Sequence, residues 1–233
     1  TLLKRDQPEI DMVLFEKSRG VGGRMATRYT ATHSFDHGAQ FFTLRTNSFR
    51  DFLASHMKIG LIEAWDAKIT TFGHSEKPDK YFWLEPHYVP QPRMTSLCKH
   101  LAMGVDVRLG TSVGGINRTE HGWRLSLDSG QYETFDWIIS TAPAEQTAAL
   151  LPIDFSDVTF DPAFALMLEL DKAPAFDGAV VKNSDVEWIA VSSSKPGRQA
   201  KPSLVAHSSG EYAKRRFEDN RVDIGTELES LVF

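Results

Sequence analysis

The sequence predicts an α/β fold in which short strands and helices alternate. Short runs rich in β-branched and aromatic residues recur along the chain. The first of them, Ile10–Phe15, is predicted as a buried parallel strand that ends at the acid Glu16. Segments with apolar residues at helical spacing lie between such runs, as in Ser48–Ile62. Farther on, three strand-like runs are separated by turn residues at Glu120–Gly122 and Asp128–Gly130, which indicates an antiparallel meander.

The composition is ordinary for a globular protein. The chain has 233 residues, 41% of them hydrophobic and 24% charged, which is enough for one large or two modest domains. A net charge of -5 argues against a nucleic-acid partner, and no apolar run is long enough to span a bilayer. The single cysteine, Cys98, fits a reducing, cytoplasmic compartment. No metal-ligand spacing is evident, and the oligomeric state stays open.

The acid at the end of the first strand is the first candidate ligand-binding residue. A carboxylate at this point of a dinucleotide-binding unit accepts hydrogen bonds from ribose hydroxyls. A Gly-x-Gly-x-x-Gly turn normally lies about 20 residues earlier. Only 15 residues precede Glu16, and none is glycine. Either the first strand and its phosphate turn lie upstream of Thr1, or the motif is absent and Glu16 is a surface acid.

A glycine-rich turn follows Glu16. Gly20, Gly22 and Gly23 let the backbone approach a ligand closely or adopt a positive φ. Arg24 adds a fork-shaped donor suited to a pyrophosphate oxygen. A flexible surface loop is the alternative, but the order of strand, acid and glycine-arginine turn is more specific than a lone Gly-Gly-Arg.

A second turn, Gly38-Ala39-Gln40-Phe41, has the composition expected beside a flat ring. Small residues let the backbone reach the ring, Gln40 can donate or accept at its polar edge, and Phe41 and Phe42 supply apolar walls. The alternative is a strand that enters the core, because the two phenylalanines suit that equally well.

The segments Glu16–Met25, Thr27-Arg28 and Phe35–Thr43 together resemble the renalase-like FAD-dependent oxidoreductases, relatives of the flavin amine oxidases. The resemblance implies an FAD-binding Rossmann-like domain of the two-dinucleotide-binding type and a second mixed-sheet α+β substrate domain. It also implies FAD contacts beyond the two turns: Val113 in the adenine pocket, and Ala142 and Pro143 on the ADP side. The cofactor-binding residues implied are Glu16, Lys17, Arg19, Gly22, Gly23, Arg24, Met25, Gly38, Ala39, Gln40, Phe41, Val113, Ala142 and Pro143.

The resemblance also sets the expected domain bounds. Residues 1–48 and 89–155 are expected to form the FAD-binding domain, and residues 49–88 and 156–233 the substrate domain. Within the first, Asp136–Ser140 is predicted as a buried strand that returns to the main sheet. The family continues beyond both ends of this sequence, so we expect the chain to be truncated at both ends.

The candidate substrate and catalytic residues lie in the last third of the chain. The segment Ser193–Arg198 has the Pro-Gly signature of a type II turn, and a plain connection is the alternative to a functional loop. The functional interpretation places Lys195 and Arg198 on a loop at the rim, where they meet an anionic substrate, and the renalase-like family has a similar Ser-Lys-Pro-Gly-Arg segment. Trp188 is a further candidate substrate-binding residue. His207 is the candidate catalytic residue facing the cofactor, although a lone strand histidine is often a satisfied core residue.

The function implied is hydride transfer from a small reduced substrate to FAD, with oxygen taking the electrons to give hydrogen peroxide. A dihydronicotinamide-type dinucleotide is the substrate that the resemblance favours. A flavin amine oxidase is the first alternative. A flavin-free, non-catalytic fragment or ligand-binding remnant is the second.

Overall fold

The computed structural model describes residues 2–73, 79–81, 85–198 and 201–232. The helices are α1 (Leu2–Asp6), α2 (Asn47–Lys58), α3 (Thr95–Leu101), α4 (Ala144–Ala148), α5 (Gly210–Arg215) and α6 (Arg221–Val232). The strands are β1 (Val13–Glu16), β2 (Thr27–Tyr29), β3 (Ser34–Asp36), β4 (Ile62–Ala64), β5 (Ile69–Phe72), β6 (Asp79–Tyr81), β7 (Tyr88–Pro90), β8 (Asp106–Leu109), β9 (Val113–Thr119), β10 (Gly122–Leu127), β11 (Tyr132–Phe135), β12 (Ala165–Glu169), β13 (Gly178–Val181), β14 (Val186–Val191) and β15 (Ser203–Ser208). No helix in these ranges is long and apolar enough to cross a membrane.

The chain divides into two compact units, and the first comprises residues 1–21 and 101–160. In it β1 pairs in parallel with β8, and β9, β10 and β11 form an antiparallel meander with β10 in the centre. The meander and the parallel character of β1 agree with the sequence analysis, whereas β8 was not predicted as its partner. The rings of Phe15 and Phe135 meet edge to face with centroids 5.9 Å apart, which brings the parallel pair and the meander together.

The predicted buried strand at Asp136–Ser140 is wrong. Among the described residues this segment pairs with no strand, and the side chains of Trp137 and Ile139 are 86% and 75% exposed. Leu14 of β1 is also 42% exposed, so β1 is not the fully buried strand expected. The apolar pattern was recognised correctly, but burial also requires a covering layer, and the described part of this unit supplies none at these positions.

The second unit comprises residues 22–100 and 161–233 and contains the larger sheet. Its strand order is β12-β15-β14-β13-β5-β6, antiparallel except for the parallel pair β13–β5. Helices α5 and α6 contribute the side chains of Tyr212, Ile224 and Leu228 to a core shared with the sheet. The buried sheet residues of that core include Ala179, Val186, Ile189, Leu204 and Ala206.

A second core cluster in this unit lies beneath the glycine turns. It consists of Trp65, Val89, Met94 and Ala190, and Met25, Ala39 and Phe41 pack against it. The hairpin β2–β3 and the antiparallel pair β4–β7 carry the loops that join these residues. Packing against a shared apolar cluster gives the two turns a fixed base.

The two compact units differ in their bounds from the predicted domains. Residues 22–48 and 89–100 were assigned to the FAD-binding domain by resemblance, and they pack within the second unit. A division by packing does not establish which residues contact which ligand. The predicted division by function therefore stays a prediction.

Candidate functional site

The first glycine turn depends on the absence of side chains at Gly22 and Gly23. Gly22 has φ 136° and Gly23 has φ 49°, both in the region that disfavours other residues. A Cβ on Gly22 would lie 2.9 Å from Oγ1 of Thr95, whereas one on Gly23 would meet nothing within 4 Å. Gly22 therefore permits close packing against α3, while the backbone at Gly23 faces open space.

The two glycine turns predicted from the sequence meet in the structure. The backbone N–H of Ala39 donates to the carbonyl of Arg24 at 2.8 Å. A Cβ on Gly38 would lie 2.1 Å from that same carbonyl oxygen, which is far inside van der Waals contact. Only glycine permits this approach, so Gly38 is required by the contact between the turns.

Gln40 stabilises the second turn from within. Its Nε2 donates to the carbonyl oxygens of Asp36 and, at 3.0 Å, Gly38. Its Oε1 accepts a hydrogen bond of 2.7 Å from Nζ of Lys195, and the residue is only 6% exposed. The amide is thus engaged within the protein, and its predicted contact with a ring edge stays a prediction.

The carboxylate of Asp36 binds the surrounding loops together. It accepts from Oγ1 of Thr27 at 2.7 Å, from the backbone N–H of Met94 at 3.1 Å and from Nη2 of Arg198 at 2.7 Å. Burial alone would raise the pKa of this carboxyl, but the charges of Lys195 and Arg198, with these hydrogen bonds, hold the pKa below its ordinary value. Asp36 is therefore ionised at neutral pH.

Lys195 and Arg198 do not lie at an exposed rim, so that prediction is wrong. Their side chains are 0% and 5% exposed. The Pro-Gly turn was recognised, but the side chains of both cations point inward. The carboxylate of Asp36 neutralises the charge of Arg198, which also donates to the carbonyl of Pro90 at 2.9 Å. Their predicted substrate contacts stay a prediction.

A cavity of about 600 Å³ opens beside the second turn, within the second unit. It brings together four residues of that turn with Trp188 and His207. The sequence analysis identified all six as candidate site residues. Trp188 and His207 are partners across the β14–β15 pair, and the rings of Phe41 and Trp188 meet edge to face at 5.9 Å. The volume falls within the range of small-molecule sites. The lining residues are Gly38, Ala39, Gln40, Phe41, Val180, Val181, Lys182, Asn183, Ser184, Glu187, Trp188, His207 and Ser209.

His207 is a neutral imidazole at physiological pH. Burial lowers its pKa below the ordinary value, and the charge of Lys195 lowers it further against the opposing effect of a hydrogen bond to His37. That bond joins Nε2 of His207 to the carbonyl oxygen of His37 at 3.0 Å. Because a carbonyl only accepts, Nε2 carries the hydrogen and Nδ1 is the basic nitrogen.

Comparison with known proteins identifies the fold. The family model described as an NAD(P)-binding Rossmann-like domain matches residues 1–55. A putative protoporphyrinogen oxidase from Exiguobacterium sp. 255-15 has a TM-score of 0.64 at 12% identity, with 88% of this chain and 72% of that chain covered. Putrescine oxidase bound to putrescine has a TM-score of 0.61 at 11% identity, with 90% and 72% covered. The fold is α/β and Rossmann-like. At such low identity the structural likeness establishes the fold alone.

Within the first unit, the Rossmann-like elements bring several predicted cofactor residues to one end of β1. Oε1 of Glu16 accepts from the backbone N–H of Ser18 at 2.8 Å, and the Glu16 carbonyl accepts from Thr111, two residues before Val113. Nζ of Lys17 donates to Oε1 of Gln146 in α4 at 3.1 Å. Pro143 caps α4 and follows Ala142, whereas Arg19 is exposed to solvent. A dinucleotide-binding fold of this type is compatible with FAD.

Several residues of the site were missed in the sequence. Asp36 ends β3 and precedes His37-Gly38, but nothing local indicates that it pairs with cations more than a hundred residues away. The opposite wall of the cavity, with Lys182, Ser184 and Glu187, lies in the connection between β13 and β14 and at the start of β14. Its polar turn composition signals a loop and carries no sign of a cavity wall.

Proposed function

We propose that the chain is the flavin-binding part of an FAD-dependent oxidoreductase of the renalase-like type. The observation that carries this proposal is the single cavity that unites the Gly38–Phe41 turn with Trp188 and His207. The resemblance assigned these residues, which lie far apart in the sequence, to the ring, the substrate and catalysis. Random surface residues would not be expected to converge on one cavity.

The residues present fit a dinucleotide with a flat ring. The backbone at Gly20 and Gly23 faces open space, as required where a backbone approaches a pyrophosphate. The second turn contributes a small residue, Ala39, and the aromatic side chain of Phe41 to the cavity lining. We assign the ribose contact to Glu16, whose Oε2 has no protein hydrogen bond among the described residues.

FAD, when bound, would accept a hydride from the substrate, and molecular oxygen with a proton would then take the electron pair to give hydrogen peroxide. The protein's part is to bind, to orient and to exclude water. Phe41 and Trp188 supply apolar walls that limit access of water to a reacting carbon. His207, neutral with Nδ1 basic, can take a proton from a substrate that must lose one.

A dihydronicotinamide-type dinucleotide is the proposed substrate. Such a substrate is already electron-rich, so its oxidation requires no proton acceptor, and positioning by the cavity is sufficient. The polar wall of Lys182, Asn183 and Ser184 supplies partners for a carboxamide or a phosphate. Oxidation of an amine is the second candidate, favoured by the carboxylate of Glu187 beside the aromatic ring of Trp188, a pairing suited to a cation.

An anaerobic titration separates these candidates. The purified chain is loaded with FAD, and the visible flavin absorbance is followed while reduced nicotinamide dinucleotides, including misreduced isomers, or putrescine are added. Bleaching by the dinucleotide, with hydrogen peroxide formed when air is admitted, supports the first candidate. Bleaching by putrescine alone supports the amine oxidase. A folded chain that takes up FAD but is bleached by neither contradicts both substrate assignments, and one that takes up no FAD supports a flavin-free ligand-binding role.

A further inference from the structure

The feature that the proposed chemistry does not use is the buried amine of Lys195. Its side chain is 0% exposed, and Nζ lies 5.3 Å from the centroid of the Trp65 ring. Its one direct hydrogen bond in the described contacts is the 2.7 Å bond to Oε1 of Gln40. An ammonium removed from water in this way requires a specific reason, because burying a charge is costly.

The amide nitrogen of Gln40 stabilises the turn that lines the cavity. The amide nitrogen donates to the carbonyl oxygens of Asp36 and Gly38, which flank His37 at the entry to the second turn. Lys195 is thus linked to the backbone of the turn through the side chain of Gln40. A change at Nζ alters the polarisation of the Gln40 amide and hence the strength of both bonds to the turn, since linked hydrogen bonds reinforce one another.

The charges around Lys195 leave its protonation finely balanced. Asp36 of β3 lies 4.0 Å away and favours the ammonium, whereas Arg198 of the same loop disfavours it. The charge of Lys195 in turn lowers the pKa of His207 in β15, and the charge of Arg93 lowers the pKa of Arg198. Burial is the largest influence and lowers the pKa of Lys195 to about 7, so both protonation states are populated at physiological pH.

We propose that Lys195 is a positioning residue whose protonation state, relayed by Gln40, sets how firmly the Gly38–Phe41 turn is held on the cavity wall. The ammonium donates a strong, charge-assisted bond to Gln40 and places a second positive charge 4.0 Å from the Asp36 carboxylate. The neutral amine donates a weaker bond and leaves Arg198 as the main partner of Asp36. The turn is therefore held most firmly below neutral pH. The importance of this control for catalysis rests on the proposed function; the control itself is a property of the protein without flavin.

The test follows the side-chain amide of Gln40 and the backbone amides of Gly38 and Ala39 by NMR in the flavin-free, isotope-labelled chain between pH 5.5 and 9. In the wild type we expect these signals to shift together with a midpoint near 7, set by the pKa of Lys195. Lys195→Gln keeps an amide donor toward Gln40 but cannot titrate, so the turn should persist without the pH-dependent shift. Lys195→Met removes donor and charge and should also abolish the shift. The matched control is Lys201→Met, which removes an exposed lysine outside the cavity lining and should retain the shift.

Two results would overturn this inference. Signals that stay constant across this range in the wild type would show that Lys195 does not titrate or does not act on the turn. The same midpoint in Lys195→Gln would assign the titration to His37 or His207 instead. The wild-type result stands even if a variant fails to fold. FAD uptake is measured separately. A chain that shows the titration but takes up no FAD contradicts the proposed function and leaves this inference intact. A chain that takes up FAD but shows no titration contradicts only this inference.

Discussion

Nζ of Lys195 donates a 2.7 Å hydrogen bond to Oε1 of Gln40, across 155 positions of sequence. This bond joins a Pro-Gly turn near the end of the chain to the glycine turn that lines the cavity. With Asp36 and Arg198 it forms a buried polar network in which one carboxylate holds two cations. The site is therefore stabilised by charges that are removed from solvent as well as by apolar packing.

Removal of the carboxylate from this network should be strongly destabilising. In Asp36→Asn the cations of Arg198 and Lys195 lose their buried counter-charge, and we expect a loss of roughly 3–5 kcal/mol in the free energy of unfolding. Urea denaturation measures the change. The matched control is Asp161→Asn, which breaks an exposed ion pair with Lys214 and should cost less than about 1 kcal/mol. Equal losses in the two variants would contradict the buried network.

The stability of the chain should depend on pH through Lys195. Burial lowers the pKa of this lysine from 10.5 in the unfolded chain to about 7 in the folded protein. Between these values the unfolded chain binds one proton more, so the contribution of Lys195 to the free energy of unfolding rises with pH, by at most about 1.4 kcal/mol per pH unit. Denaturation of the wild type and of Lys195→Met at pH 7.5 to 9 isolates this contribution, because His207, whose pKa is lowered by burial and by the charge of Lys195, is already neutral there. A wild-type curve parallel to that of the variant would show that the lysine is not buried as an amine.

A methyl group at Gly38 should disrupt the contact between the glycine turns. The added Cβ would lie 2.1 Å from the Arg24 carbonyl, so the backbone must move, and we expect Gly38→Ala to lower stability by about 1–3 kcal/mol or more. Thermal denaturation and FAD affinity should both report the loss. Gly225→Ala is the matched control: nothing lies within 4 Å of its Cβ in α6, so helix propensity should make it neutral or stabilising by up to about 1 kcal/mol. A Gly38→Ala variant of wild-type stability would refute the contact.

Loss of the Glu16 carboxylate should weaken FAD binding and leave the fold intact. In the structure this group accepts one local hydrogen bond, from Ser18, so Glu16→Ala removes little that holds β1 in place. A lost charge-assisted bond to a ribose hydroxyl corresponds to roughly 1.5–3 kcal/mol, or about a ten- to hundredfold rise in Kd for FAD. Glu120→Ala, at an exposed turn of the same unit, should leave Kd unchanged. An unaltered Kd in Glu16→Ala would count against the ribose assignment.

Features with local sequence signals were predicted correctly. The meander follows from strand runs separated by Gly-containing turns. The two glycine turns, one of which lines the cavity, were found because their unusual composition implies a backbone that approaches another group closely.

Features that depend on distant partners were not predictable. The segment Ser193–Arg198 indicates a turn, but the inward direction of Lys195 and Arg198 is set by Asp36, which lies 162 positions from Arg198. The apolar run Asp136–Ser140 resembles a buried strand, yet local pattern does not specify whether a partner strand is present, and Trp137 is 86% exposed. Residue-level pattern fixes local conformation, whereas burial and ion pairing arise from tertiary structure.

The most direct test of the account is equilibrium binding of FAD to the purified, folded chain, followed by the visible absorbance of retained flavin and by calorimetry. The account predicts an equimolar yellow complex whose affinity falls in both Glu16→Ala and Gly38→Ala and is unchanged in Glu120→Ala. A folded chain that stays colourless in the presence of excess FAD, or binds it equally well in all of these variants, would contradict the flavin site proposed here.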